Sequence, residues 1–319
     1  MELRHLRYFI AVAEELHFSR AAERVHIAQP PLSQQIQQLE AELGVELFHR
    51  KTKRQVQLTE AGRVFLREAY QLLAHLEVAI QVTQRTGRGE IGQLRVGFIS
   101  PVTYDLLPGI LQQFRQQFPE VELVLQELTT AEQEQALRDR RIHVGFVHLP
   151  LEDDTLNWEC IQQETLIVAL AQTHPLAQQE RIAVQSLANE QFILFPRYLG
   201  VGLYDKIMAL CQQGNFTPKV AQEAIQMQTI IGLVSAGIGI AIVPSSLQNL
   251  QRTGVVYRAI AQSTVPFAQR LRQEKAIAQK TPLIETAVVW RGEEEIPVLR
   301  EFLKVVMPFP AISHLKVDD

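Results

Sequence analysis

Between residues 60 and 86, Leu66, Ala69, Leu73, Leu76, Ile80 and Thr83 follow one another at steps of 3, 4, 3, 4 and 3. That is a heptad seam, and it predicts one continuous helix. At ~1.5 Å per residue such a helix is roughly 40 Å long. Thr59 is the expected N-cap, with Glu60 well placed in the first turn. A small domain cannot enclose a seam of that length, so the helix is expected to bury it against a second copy of the chain. The alternative is a helix packed on its own domain. Directly afterwards comes Gly87-Arg88-Gly89-Glu90-Ile91-Gly92, which formally matches G-x-G-x-x-G. A dinucleotide site needs that motif after a strand and at the start of a helix. Here it follows a helix and precedes a strand, so the glycines read as a hinge. The chain is thereby divided into a 1–58 head, a 59–92 linker helix and hinge, and a 93–319 remainder.

The head reads as short helices. In 3–16, Leu6, Phe9, Ile10, Ala13 and Leu16 form a helical stripe. A short helix is expected over 19–25, with Ser19 as N-cap and Ala21, Ala22 and Val25 on one face. A second begins at Pro30 and Pro31, residues suited to a first helical turn because a missing N–H costs nothing there. Its apolar residues Leu32, Ile36, Leu39 and Leu43 are spaced 4, 3 and 4, and Gly44 is the expected C-cap. The opposite face carries Ser33, Gln34, Gln37 and Gln38, with Gln29 just ahead. Two short helices and a tight turn, the second with an amide-rich front, form a helix-turn-helix whose second helix enters the major groove. Gln can pair with adenine N6 and N7, and Ser with either base type. Beyond Gly44, Arg50, Lys51, Lys53 and Arg54 cluster before a short alternating strand at 55–58. Strand, basic turn and strand form a wing, whose cations would meet phosphates.

Composition supports two or more ordinary folded domains: 319 residues, 46% hydrophobic and 21% charged. The net charge of −4 argues nothing for nucleic acid, and residues 1–90 hold 12 Lys and Arg against 11 Asp and Glu. Any phosphate contact therefore depends on where the cations sit. Cys160 and Cys211 are far apart and match neither a disulfide framework nor a zinc spacing. The start, MELRHLRYF, has no cationic region followed by an apolar core, so no signal peptide is evident and a cytoplasmic protein is expected. The longest mostly apolar run, 230–243, is 14 residues, too short to span a bilayer. No membrane association is expected.

The C-terminal part alternates strands and helices. Strands are expected at 94–99, 121–128 and 142–147, with helices at 104–118 and 131–139, giving a parallel sheet with helices on its faces. Further strands fall at 166–170, 192–194, 219–223, 240–243, 255–260 and 286–290, and helices at 201–214, 227–236 and 296–306. The 262–282 segment is polar and irregular. Overall this is α/β. A small, mainly helical winged head and long linker helix precede two α/β lobes, with late strands returning to the first. That is a periplasmic-binding-protein-like arrangement, with lobe I at about 93–162 and 263–306 and lobe II at about 163–262. Ligands in such folds sit between lobes, at strand C-termini and helix N-termini. Ser100, Pro101, Thr103, Thr129, Thr130, Phe146, His148, Phe195, Pro196, Gly202, Met227 and Gln228 fall at those edges and are the candidate ligand residues. Simple N-capping alone explains a hydroxyl at any of them.

The segment MELRHLRYFIAVAEELHFSRAAERVHIAQPPLSQQIQQLEAELGVELFHR, followed by QLTEAG, closely resembles the winged helix-turn-helix of the LysR-type transcriptional regulators. In the C-terminal part, QELTTAEQEQAL, ILFPR and LVSAGIGIAIVP continue the resemblance. The nearest subgroup regulates aromatic-acid catabolism and small-carboxylate metabolism. The resemblance implies a DNA-binding regulator that acts as a dimer of dimers on an interrupted palindrome. A small molecule, of which a carboxylate is one candidate, would change the DNA bending, and RNA polymerase would be a further partner. It places Gln29, Pro30, Ser33 and Gln34 at the front of the recognition helix and matches Arg50 and Arg54 to wing cations. Ser19, Arg20, Pro31, Gln37, Lys51 and Lys53 complete the expected DNA-contacting set. Two departures stand out. The subgroup usually reads Gly-Ser where this chain has Ser100 and Pro101, and the 262–282 segment is long for the family. No catalytic residues, metal or cofactor are expected, because the chain lacks H-E-x-x-H, G-x-S-x-G and a workable P-loop. A small-molecule binding or transport component and an enzyme are the competing readings. The 90-residue N-terminal module speaks against the first.

Overall fold

The computed structural model describes residues 1–50, 56–261, 282–292 and 296–308. It comprises two compact units, 1–85 and 86–319.

In the first unit, α1 (Leu3–Glu15), α2 (Phe18–Arg24) and α3 (Gln29–Leu43) precede a hairpin of β1 (Phe48–Arg50) and β2 (Val56–Leu58), and then α4 (Glu60–Gly87). Leu32, Ile36 and Leu39 of α3 are fully buried, as their spacing predicts. Leu43, expected in the same stripe, is 37% exposed. It occupies the last turn of α3. Phe9 is the centre of the core, 5.3 Å from the Phe48 ring and 5.0 Å from the Phe65 ring. Gly44 closes α3 at φ 71°, a conformation that costs glycine little.

The expected start of α2 needs correcting. The helix begins at Phe18, and its cap is His17, whose Nδ1 accepts the Arg20 N–H at 3.5 Å. Phe18 is drawn into the core against Phe48, which pulls the first turn back by one residue and puts Ser19 inside the helix. Thr59 does cap α4, accepting the Gly62 N–H at 2.9 Å while donating to the Glu46 carbonyl at 2.7 Å.

The helix α4 runs as the heptad seam requires, but the seam is used in two ways. Ala69 is buried, and Leu66 and Leu73 pack on the core of the first unit. Further along, Ile80 is 42% exposed, with Val78 and Val82 exposed beside it.

In the second unit, β3 (Gly92–Phe98), α5 (Leu106–Gln117), β4 (Val121–Glu127), α6 (Thr130–Arg138), β5 (Val144–His148), β6 (Leu156–Glu164) and β13 (Ile284–Arg291) build the first lobe with α9 (Pro297–Val306). Its sheet has the order β4-β3-β5-β13-β6. The three strands β4, β3 and β5 are parallel, and β13 is antiparallel to both neighbours. The second lobe holds β7 (Leu166–Ala171), β8 (Arg181–Ile182), β9 (Gln191–Leu194), α7 (Val201–Gln213), β10 (Lys219–Glu223), α8 (Met227–Ser235), β11 (Ala241–Pro244) and β12 (Val255–Ile260). They form a sheet β11-β7-β12-β8 and a parallel pair β10-β9. Each lobe has its own buried core. At the crossover between them, the buried Glu164 carboxylate accepts the Ser246 N–H at 2.7 Å.

Two local differences from the sequence reading have physical causes. The first helix of this unit was expected over 104–118, but 100–104 is a 3-10 turn. The chain breaks at Asp105 (φ −139°, ψ −80°) before α5 begins at Leu106. The strand β6 was not expected at all. Its register against β13 shifts between Thr286 and Ala287, leaving Ile161 without a partner. That bulge spoils the alternation by which a strand is recognised. The 262–282 segment lies outside the described residues except for residue 282.

Candidate functional sites: a recognition helix and an inter-lobe cavity

The polar face of α3 is available. Gln34, Gln37, Pro30 and Pro31 are exposed, while Ser33 and Gln29 are half-buried. Gln29 Oε1 accepts a long hydrogen bond from Ser19 Oγ at 3.5 Å, which links the two helices at their turn. Arg20 is exposed, with its guanidinium turned back on the Glu15 carbonyl at 2.5 Å. At the wing, Arg50 pairs with Val56 in the hairpin ladder. Lys51, Lys53 and Arg54 lie outside the described residues.

In the second unit a cavity of about 290 Å³ opens where the parallel strands end. Ile99 and Ser100 come from the end of β3, Leu128 and Thr129 from the end of β4, and His148 from the end of β5. The other wall is built by Phe195, Leu199, Gly200 and Leu203 ahead of and within α7, and by Ile225, Gln226 and Met227 at the start of α8. The N-cap residues of α6, α7 and α8 (Thr129, Gly200 and Gln226) therefore all face one space.

The hydroxyls there differ in how free they are. Thr129 forms a capping box with Glu132: its N–H donates to Glu132 Oε2 at 2.8 Å, and its Oγ1 accepts the Glu132 N–H at 3.3 Å. Among the described residues, Ser100 Oγ has only a long contact to the Tyr104 hydroxyl, at 3.5 Å. His148 is 6% exposed and its Nε2 has no hydrogen-bond partner among the described residues. Burial, reinforced by Lys206, pushes its imidazole down to about 3. The ring is therefore neutral at physiological pH.

Of the expected ligand residues, the fold brings Ser100, Pro101, Thr129, Thr130, His148, Phe195 and Met227 to this cavity. It does not bring Thr103, Phe146, Pro196, Gly202 or Gln228. Thr103 Oγ1 donates to the Ser100 carbonyl at 2.7 Å, closing its own turn. Phe146 lies two residues back along β5 and is wholly buried against Phe302. Pro196 is buried as the cap of a 3-10 turn at Arg197–Leu199. Gly202 is a packing residue: a Cβ there would stand 2.2 Å from the Leu149 carbonyl oxygen. Gln228 is exposed. Sequence reasoning missed Gly200 and Gln226, which precede helices that were themselves expected. Asking what caps each helix would have found them.

Comparison with known proteins decides what this pairing of head and cavity is. Residues 3–63 match the bacterial regulatory helix-turn-helix of the lysR family, and residues 87–307 match the LysR substrate binding domain. The chain belongs to the LysR family of transcriptional regulators. It is 45% identical over 262 residues to the regulator AlsR of Bacillus subtilis, covering 82% of this chain and 86% of that one. It is 40% identical to CatR of Pseudomonas putida, covering 82% and 89%, and 37% identical to BenM of Acinetobacter baylyi, covering 81% and 84%. The whole fold is similar to the crystal structure of CbnR, at 28% identity and a TM-score of 0.79, covering 96% of this chain and 100% of that one. It is equally similar to full-length CbnR complexed with its target DNA, with a TM-score of 0.78. This LysR-type protein is thus a DNA-binding transcriptional regulator with an effector-binding domain, in the subgroup of regulators of aromatic and carboxylate catabolism. Among the described residues no helix is long and apolar enough to cross a membrane.

Proposed function

We propose that the regulator reads DNA through the front of α3 and is controlled by a small organic acid held in the inter-lobe cavity. The observation that carries the reading is the convergence of three strand ends and three helix N-termini on one cavity. Partial positive charge at a helix N-terminus suits an anionic group. In this reading Gln34, Gln37, Ser33 and Gln29 meet base edges. Ser19, Arg20, Pro30 and Pro31 seat the helix, and Arg50, Lys51, Lys53 and Arg54 meet phosphates. Residues 1–58 form the reading head, 59–92 the linker and 93–319 the sensor. The exposed apolar residues Val78, Ile80 and Val82 of α4 are what a second copy would cover, and two such dimers would form the working tetramer. The protein acts without catalysis in the cytoplasm, with RNA polymerase as a further partner.

Effector binding favours one arrangement of the lobes over another, and the dimer contacts carry that difference to the spacing of the heads. The test is fluorescence anisotropy of the full chain on its own upstream DNA and on scrambled DNA, titrated with salt, with and without a panel of carboxylic acids. Tight, salt-sensitive binding to the upstream DNA that one acid changes is the expected result. Equal binding to both DNAs, unmoved by any acid, would overturn the reading.

A further inference from the structure

The charges around the cavity carry the effector reading one step further, and the step rests on that reading. Among the described residues, Glu127 and Glu132 are the only charged side chains lining the space; neither Lys nor Arg does. Glu132 is already engaged by the Thr129 N–H and hydroxyl. Positive potential therefore comes from the backbone. The starts of α7 and α8 both reach the cavity, and neither has a side-chain cap. Each offers a partial charge of about +0.5, so the pair balances about one anion.

We propose that this cavity takes an organic acid with a single carboxylate and an apolar body, and rejects dicarboxylates. The carboxylate lies at the uncapped starts of α7 and α8. Leu128, Phe195, Ile225 and Met227 cover the apolar body. His148, nine-tenths buried and with an unpaired Nε2, supplies an uncharged hydrogen-bonding group. It cannot act as the second cation that a dicarboxylate needs, because burial keeps it neutral. The charged groups around it do not fill that role either. Lys206 donates to the Leu283 carbonyl and stands 3.5 Å from Glu285. A second carboxylate would be desolvated beside Glu127 and Glu132 with no side-chain cation to meet it.

The experiment is isothermal titration of the full-length protein at pH 7 with butyrate and benzoate against succinate and phthalate. The monocarboxylates are expected to bind on the order of tenfold tighter or more. His148→Arg, which places a cation in the wall, is expected to shift the preference toward succinate and phthalate. His148→Gln, uncharged, is expected to weaken the monocarboxylates without tightening succinate or phthalate, and serves if the arginine variant does not fold. Succinate or phthalate binding as tightly as the monocarboxylates would overturn the inference and leave the effector site standing. No binding of any of the four acids would overturn both. Tight butyrate or benzoate binding that leaves DNA anisotropy unmoved would support the cavity's selectivity and overturn the effector reading.

Discussion

Glu40, in the last turn of α3, accepts the backbone N–H of Leu47 at 2.9 Å. The same oxygen takes the Phe48 N–H at 3.2 Å. One carboxylate thus anchors the chain segment that enters the wing to α3, the helix proposed to read DNA. Leu47 and Phe48 are each 1% exposed, so these N–H groups have no water to turn to. Glu40→Ala should cost about 2–3 kcal/mol, since an unpaired buried donor costs about 1–3 kcal/mol. Hydrogen–deuterium exchange would show it as faster exchange over 44–58. Glu40→Gln keeps an accepting oxygen and should lose less.

The proposed DNA contacts are of two kinds, base reading by the front of α3 and phosphate contact by the wing cations. Gln34→Ala is expected to cost about 1–3 kcal/mol at one base position of the operator and little on random DNA. Arg54→Ala should weaken all sequences alike and flatten the salt dependence. Anisotropy on matched specific and random duplexes, across a salt series, distinguishes them. Equal losses on both DNAs for Gln34→Ala would remove it from base reading.

Gly202 and Gly232 give a paired test of packing on the effector lobe. A Cβ at Gly202 would lie 2.2 Å from the Leu149 carbonyl oxygen, whereas one at Gly232 meets nothing within 4 Å. Gly202→Ala must push α7 off the end of β5 and should destabilise by about 2–4 kcal/mol, in the range of overpacked cores and above. Gly232→Ala, inside α8, should instead stabilise by about 0.5–1 kcal/mol. Thermal melting of the two variants side by side should show opposite shifts. A Gly202→Ala melt unchanged from wild type would mean that α7 has room to move.

His148 links stability to pH. Its folded-state value near 3 lies below the ordinary 6.5 of an unfolded histidine. Above pH 6.5 both states leave it neutral and it costs nothing. As pH falls from 6.5 toward 3, the unfolded chain takes up a proton that the folded chain refuses, and stability is lost. At ~1.4 kcal/mol per pH unit, the loss by pH 5 is about 2 kcal/mol. Urea denaturation at pH 7 and pH 5 measures it, and His148→Gln should remove that part of the slope. An unchanged slope in the variant would assign the acid sensitivity to other groups, among them the carboxylates.

Local periodicity determined most of the elements in advance. The 4, 3, 4 spacing of Leu32, Ile36, Leu39 and Leu43 and the heptad steps through α4 define helices because side chains three or four apart share a face wherever the helix sits. Thr59 and Gly44 are equally local, because each cap acts over about one turn. Tertiary structure decided the rest. Whether Leu43 is buried depends on what packs against the last turn of α3, and whether Ser19 or His17 caps α2 depends on Phe18 finding the Phe48 ring. The alternation of β6 is broken by a bulge that exists only against β13. The cavity shows the limit most clearly. Ser100, Thr129 and His148 were legible as strand-end residues. That they face Gly200 and Gln226, which close the site with backbone rather than side-chain charge, follows only from two lobes folding onto one another. Contacts between residues a hundred positions apart leave no periodic trace in the chain, because they are selected by the packing of whole lobes.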